Sequence, residues 1–112
     1  MKYRLVGSEM CIRDRSNPEE FGVVEVVDGE IISIQEKPSK PKSDYIAVGL
    51  YLFDNLCFEY IKSIQKSDRG EYEITSLIEK YLDNNALNFQ FTNGWWVDAG
   101  TPEAIKTIEK LI

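Results

Sequence analysis

The sequence predicts an α/β domain in which some strands pair antiparallel. Three observations carry this. Two apolar, β-branched runs flank Asp28-Gly29, the strongest short-range signal of a tight hairpin. Residues 45–53 form a nearly unbroken apolar run, YIAVGLYLF, which suits a strand covered on both faces. Leu77, Ile78, Tyr81 and Leu82 recur at helical spacing, so one face of a helix packs inward. Strands mixed with helices in this way form a sheet with flanking helices.

Along the chain, residues 21–27 read as a strand, and Ile31, Ile32 and Ile34 mark its return after the Asp28-Gly29 turn. Pro38-Ser39-Lys40-Pro41-Lys42-Ser43 is a loop, because two prolines in four residues break either regular structure. Gly49 weakens the 45–53 strand and marks either a bulge or a close approach of ligand to backbone. Asp54 or Asn55 can cap a helix that turns Phe58, Ile61 and Ile64 inward. Ser67-Asp68-Arg69-Gly70 is a loop before a helix over residues 73–83, and residues 87–91 form a short strand. Thr101 suits a helix N-cap, Pro102 the first helical position and Glu103 the positive end of the helix dipole. A last helix over residues 104–112 then turns Ile105, Ile108 and Leu111 inward.

Composition narrows the function. The 112 residues suffice for one small domain, and 43% hydrophobic with 12% aromatic content describes a globular chain. Thirteen basic against nineteen acidic residues give a net charge of −6 without a basic cluster, which argues against nucleic-acid binding. No apolar run approaches membrane-spanning length and no signal-peptide pattern is present, so a reduced cytoplasm is the expected location. There is no histidine, and Cys11 and Cys57 stand outside any CxxC pair. Zinc sites of the usual Cys/His kind and His-based triads are excluded.

Residues 5–14, LVGSEMCIRD, resemble one reading frame of a transposon adaptor used to prepare sequencing libraries. Residues 1–15 are accordingly read as a non-native leader and set apart from the fold, which makes residues 16–112 the natural part and places the start of the natural protein upstream.

Three polar groups stand beside apolar strands. Asp98, in Gly94-Trp95-Trp96-Val97-Asp98-Ala99-Gly100-Thr101, lies between an aromatic strand and a helix start. It suits Mg²⁺, which takes oxygen ligands and keeps substrate phosphates as partners; alternatively it accepts backbone hydrogen bonds at a turn. Gln35-Glu36-Lys37-Pro38 ends the second hairpin strand with a carboxylate beside an ammonium. That pair either faces a cleft, where lysine holds a phosphate and the carboxylate accepts from hydroxyls, or is a solvated pair worth under about 1 kcal/mol. Arg69 in Arg69-Gly70-Glu71 is either a bidentate phosphate contact or a solvated loop charge.

Six motifs stand in the order seen in the sugar-1-phosphate nucleotidylyltransferases: Pro18-Glu19-Glu20-Phe21-Gly22-Val23-Val24, Gln35-Glu36-Lys37-Pro38, Pro41-Lys42-Ser43-Asp44-Tyr45, Val48-Gly49-Leu50-Tyr51, Arg69-Gly70-Glu71-Tyr72-Glu73-Ile74-Thr75 and Trp95-Trp96-Val97-Asp98-Ala99-Gly100-Thr101. The chain resembles that family over residues 16–112, most nearly the short bacterial glucose-1-phosphate thymidylyltransferases. The resemblance implies the C-terminal, sugar-phosphate-binding part of a Rossmann-like nucleotidyltransferase fold. It implies attack of a sugar 1-phosphate on the α-phosphorus of a nucleoside triphosphate with loss of pyrophosphate, Mg²⁺ as cofactor, and a homo-oligomeric parent.

Carried over, Lys37 contacts the sugar phosphate, Arg69 is a second phosphate contact, and Asp98 is one of two metal-binding aspartates. Glu36 accepts from sugar hydroxyls, the Gly22 backbone touches the sugar, Val48 and Gly49 line its pocket, and Tyr51 and Trp96 wall it. The family's Gly-rich triphosphate loop, its base-reading residues and its first metal aspartate have no counterpart here, so the 112 residues alone are expected to be inactive. Ser76 stands where the family usually has an aspartate. Uridylyl, cytidylyl and guanylyl transferases share these signals, and a non-catalytic subunit of the same fold is the remaining alternative.

Overall fold

Asp28 and Gly29 both take positive φ, 52° and 78°, the pair of left-handed residues that a type I′ turn requires. The chain therefore folds straight back, pairing Gly22–Val27 with Glu30–Glu36 so that Gly22 faces Glu36 and Val24 faces Ile34. In this computed structural model, which describes residues 7–94, 96–100 and 102–112, those two strands are β2 and β3 in chain order. Before them comes β1 (Ser8–Asp14), and after them β4 (Tyr45–Phe53), α1 (Cys57–Ile61), α2 (Ile74–Asp83), β5 (Leu87–Phe91) and α3 (Pro102–Leu111). The sheet order is β3-β2-β4-β1-β5. β1 runs parallel to β5 and antiparallel to β4, and the other pairings are antiparallel. The sheet is mixed and helices flank it, as the sequence predicts.

One face of the sheet carries the core. Met10, Ile12, Val24, Ile31, Ile34 and Ala47 pack with Ile78 of α2, joined by the partly buried Tyr51, Phe53, Leu82 and Phe89. The α2 stripe is as read: Leu77, Ile78 and Tyr81 are buried. Tyr81, fully buried, donates its hydroxyl to Asp54 Oδ1 at 2.8 Å, while Asp54 Oδ2 accepts from Gly7 N–H at 2.7 Å. Burial raises the Asp54 carboxyl, but the bonds from Gly7, Tyr81 and Leu56 outweigh it and hold the group below its ordinary value.

Residues 8–14, within the segment the sequence reading sets apart, form β1 between β4 and β5, with Ser8, Met10 and Ile12 alternating inward. Three expectations about burial need correction. The 45–53 run is covered on both faces only at its start: Ile46 and Ala47 are buried, yet Leu50 is 60% and Leu52 51% exposed. After Asp54, which accepts from Leu56 N–H, α1 is a single short turn whose Phe58 is 67% exposed; Ile61 is exposed too. α3 buries none of its residues, leaving Ile105 and Leu111 exposed and Ile108 half-buried. α1 meets the rest of the fold through Tyr60, whose ring packs edge-on against Tyr81 at 4.9 Å, while Phe58 and Ile61 of α1 and Ile105 and Leu111 of α3 stay exposed. Among the described residues no helix is long and apolar enough to cross a membrane.

Candidate functional site

Glu36 is the centre of the site, and Gly22 explains its position. The two residues are cross-strand partners at the open end of the hairpin. A Cβ at Gly22 would sit 3.3 Å from Glu36 Oε2 and 3.4 Å from Thr75 Cγ2, so the bare backbone leaves room for the carboxylate against the start of α2. Burial raises the Glu36 carboxyl above its ordinary value; the charge of Glu73 adds to this, Lys37 and Arg69 oppose it, and Glu71 adds a little more. Burial, then the Glu36 charge, likewise raises the Tyr51 phenol. The charges of Lys37, Arg69, Glu71 and Glu73 thus act on the Glu36 carboxyl, which in turn acts on Tyr51, and Gly22 leaves Glu36 its room.

Lys37 follows Glu36 in left-handed backbone, φ 43°, and its N–H donates to the Phe21 carbonyl at 2.9 Å. Such a conformation costs a side-chain-bearing residue about 1–2 kcal/mol, and it turns the chain sharply out of β3. Arg69 sits in a loop closed by Gly70 N–H to Ser67 O and Ser67 N–H to Glu71 O, both 2.8 Å. Its Nη1 lies 3.3 Å from Glu73 Oε1 and its Nη2 3.4 Å from Glu71 Oε2. It is an exposed loop charge, but an ion-paired one.

The Trp96 ring meets Phe21 edge-on at 5.5 Å, and the Arg15 guanidinium lies 5.4 Å from the Trp96 ring and 5.8 Å from Phe21. Phe21 thus joins the two halves of the candidate site, its carbonyl holding Lys37 and its ring holding Trp96. Asp98 follows two residues later, exposed, with Oδ1 accepting from Gly100 N–H at 3.3 Å. Among the described residues no three or more His, Cys, Asp or Glu side chains are grouped to hold a metal. Trp95 and the Thr101 cap lie outside the described residues.

Val48 and Gly49 occupy a bulge: Met10 pairs with Tyr51 and Ile12 with Ala47, so three residues of β4 oppose Cys11. Gly49 has φ 90° and open space where a Cβ would be. The bulge of the sequence reading is present, and the open space beside Gly49 leaves its backbone accessible. Two residues were missed as part of the site. Glu73 and Phe21 each stand inside a motif shared with the family, but their contacts with Arg69, Lys37 and Trp96 depend on how the loop and the strand end fold.

The sequence matches the profile of the nucleotidyl transferase family over residues 3–112. It is 45% identical over 92 residues to a glucose-1-phosphate thymidylyltransferase of Neisseria meningitidis, covering 80% of this chain and 32% of that protein. To the enzyme of the same name in Mycolicibacterium smegmatis it is 42% identical over 93 residues, with the same coverage. The bifunctional protein GlmU of Methanocaldococcus jannaschii is 39% identical over 114 residues, 27% of its length. A Bacillus anthracis crystal structure assigned to the glucose-1-phosphate thymidylyltransferases, in complex with a sucrose, superposes with a TM-score of 0.86 at 40% identity, covering 95% of this chain and 43% of that one. The chain thus spans about a third of the length of the curated relatives it matches. A profile match running from residue 3 to the last residue, on a fold shared with a solved relative, shows that the chain belongs to the nucleotidyl transferase family.

Proposed function

We propose that the chain is the sugar-phosphate-binding part of a glucose-1-phosphate thymidylyltransferase, which joins glucose 1-phosphate to dTTP, releases pyrophosphate and feeds nucleotide-sugar and cell-surface polysaccharide synthesis. One arrangement supports it above the rest: Glu36 stands opposite Gly22 at the open end of the β2–β3 hairpin with Lys37 next to it in the chain, and the charge of Arg69, in the loop before α2, acts on the same carboxyl. Two cations beside a half-buried carboxylate suit a ligand carrying both phosphate and hydroxyls. Lys37 and Arg69 neutralise and orient the sugar phosphate, so that its oxygen points at the incoming phosphorus. Glu36 accepts from sugar hydroxyls, the Gly22 backbone leaves room for the ring, and Val48, Gly49, Tyr51 and Trp96 bound its pocket. Positioning and charge stabilisation of this kind need no covalent nucleophile.

Asp98 is our candidate for one ligand to Mg²⁺. Its exposed carboxylate accepts from the Gly100 N–H at 3.3 Å, and an exposed carboxylate suits a cation that takes one or two carboxylates plus substrate phosphates. Bound Mg²⁺ offsets the negative charge gathering on the phosphates. In the same reading the parent is cytoplasmic and homo-oligomeric, residues 1–15 are a translated adaptor, and the second metal aspartate lies upstream. The GlmU match favours a second reading, the same chemistry with another nucleotide or sugar.

The test is pyrophosphate release by the parent protein with glucose 1-phosphate and dTTP, UTP, CTP or GTP in turn. We expect dTTP to be preferred, Asp98→Asn to lower turnover by about 100-fold or more with sugar-phosphate binding partly retained, and the 112-residue chain alone to release none. Preference for another nucleotide would move the assignment within the family. Near-normal turnover of the Asn variant would remove Asp98 from the metal role.

A further inference from the structure

Arg69 is held by two carboxylates that differ sharply in setting. Glu73 is 12% exposed, stands at the junction of loop and α2, and its Oε1 accepts from both Arg69 Nη1 and the Ser67 hydroxyl, at 3.3 and 3.2 Å. Ser67 is tied in turn to the loop, since its Oγ accepts from Arg69 N–H at 3.3 Å. Glu71 is 59% exposed and meets the other end of the guanidinium, Nη2, at 3.4 Å. An exposed pair of that kind contributes little, whereas a carboxylate held by two donors in a fixed turn has little freedom left to lose.

Resting on the sugar-phosphate reading above, we infer that Glu73 is a positioning residue that aims Arg69 at the ligand phosphate, and that Glu71 is a stand-in anion which the phosphate must displace. A guanidinium presents five N–H donors in a rigid fork, and a phosphate grips it best through two of them. Glu73 occupies the Nη1 side from the protein interior. Glu71 occupies the Nη2 side from solvent, where an entering phosphate would compete with it. The Ser67–Glu73 bond and the turn at Gly70, φ 77°, keep the fork in place while the exchange occurs.

Glu73→Ala, Glu73→Gln and Glu71→Ala remove the same unit of charge, so an effect of net charge alone would strengthen anion binding in all three. Positioning predicts opposite signs. Titrating glucose 1-phosphate into the full chain by calorimetry, Glu71→Ala should bind about two- to threefold more tightly and Glu73→Ala about tenfold more weakly. Glu73→Gln, which keeps an acceptor for Ser67 and Arg69, should recover part of the loss. The helix itself is not at risk from Glu73→Ala, because the Glu73 side chain makes no capping bond. Tighter binding by both alanine variants would overturn the inference. ¹⁵N relaxation of the Arg69 Nε–H tests it without ligand: the group should be ordered in the wild type and in Glu71→Ala, and mobile in Glu73→Ala. Equal order in all three would also overturn it. Failure of the wild type to bind glucose 1-phosphate would count against the sugar-phosphate reading, with the relaxation result still deciding the role of Glu73.

Discussion

Lys37 shows how much of the site lies in backbone rather than side chain. Its left-handed φ of 43° is a conformation that glycine adopts freely and lysine does not. The cost is held by the hydrogen bond to Phe21 and by the strand pairing that ends one residue earlier, and strain kept at one residue motivates a functional role. Lys37→Gly should therefore raise unfolding stability by about 0.5–1 kcal/mol over Lys37→Ala, the relief of strain exceeding the extra chain entropy of glycine. Denaturant midpoints of the two variants check this, and an alanine variant at least as stable as the glycine would sink it. Glu36, Lys37 and Arg69 stood out in the sequence as charges beside apolar segments, and the family resemblance, not the residues alone, gave them their expected roles. The left-handed turn at Lys37, the action of both cations on Glu36 and the hold of Glu73 on Arg69 were not legible there, since these depend on which loops the fold brings together.

At the scale of elements, patterns that close on themselves read correctly and patterns that need a partner did not. The β2–β3 hairpin is fixed by two adjacent residues, and α2 by a stripe whose partners, Ile34 and Met10 among them, are in the chain. In α1 and α3 the apolar residues Phe58, Ile61, Ile105 and Leu111 stay exposed, so a pattern sufficient for helix formation did not predict which residues would be buried. β1 was not read as an element because the segment resembles an adaptor, yet Ser8, Met10 and Ile12 are buried with period two. Ile12 is fully buried, and its strand joins β4 to β5. Ile12→Ala should cost about 2–4 kcal/mol, seen as a lower denaturant midpoint. An unchanged midpoint would mean that β1 adds no stability to the folded chain.

At the scale of the whole molecule, the described residues form a five-stranded sheet with the core on one face, and Val23 and Ile46 are buried on the other. Beyond that buried pair, Leu50 and Leu52 of β4 are exposed, with Val27 and Ile32 of the hairpin also open to solvent. β3 and β5 are the sheet edges, and each carries an exposed apolar residue, Ile32 and Phe91. Open apolar surface next to unpaired strand edges promotes association, and the net charge of −6 opposes it through repulsion that salt screens. The balance has a definite sign in salt: sedimentation should show this chain associating with rising concentration, and more strongly at high ionic strength than at low. Lysine at positions 50 and 52 should suppress that association while leaving the thermal midpoint nearly unchanged, because neither leucine is buried. A lysine pair that lowered the midpoint by many degrees would show the two side chains to be packed in solution. A wild type that stayed monomeric across the series at high salt would show the open surface to be harmless.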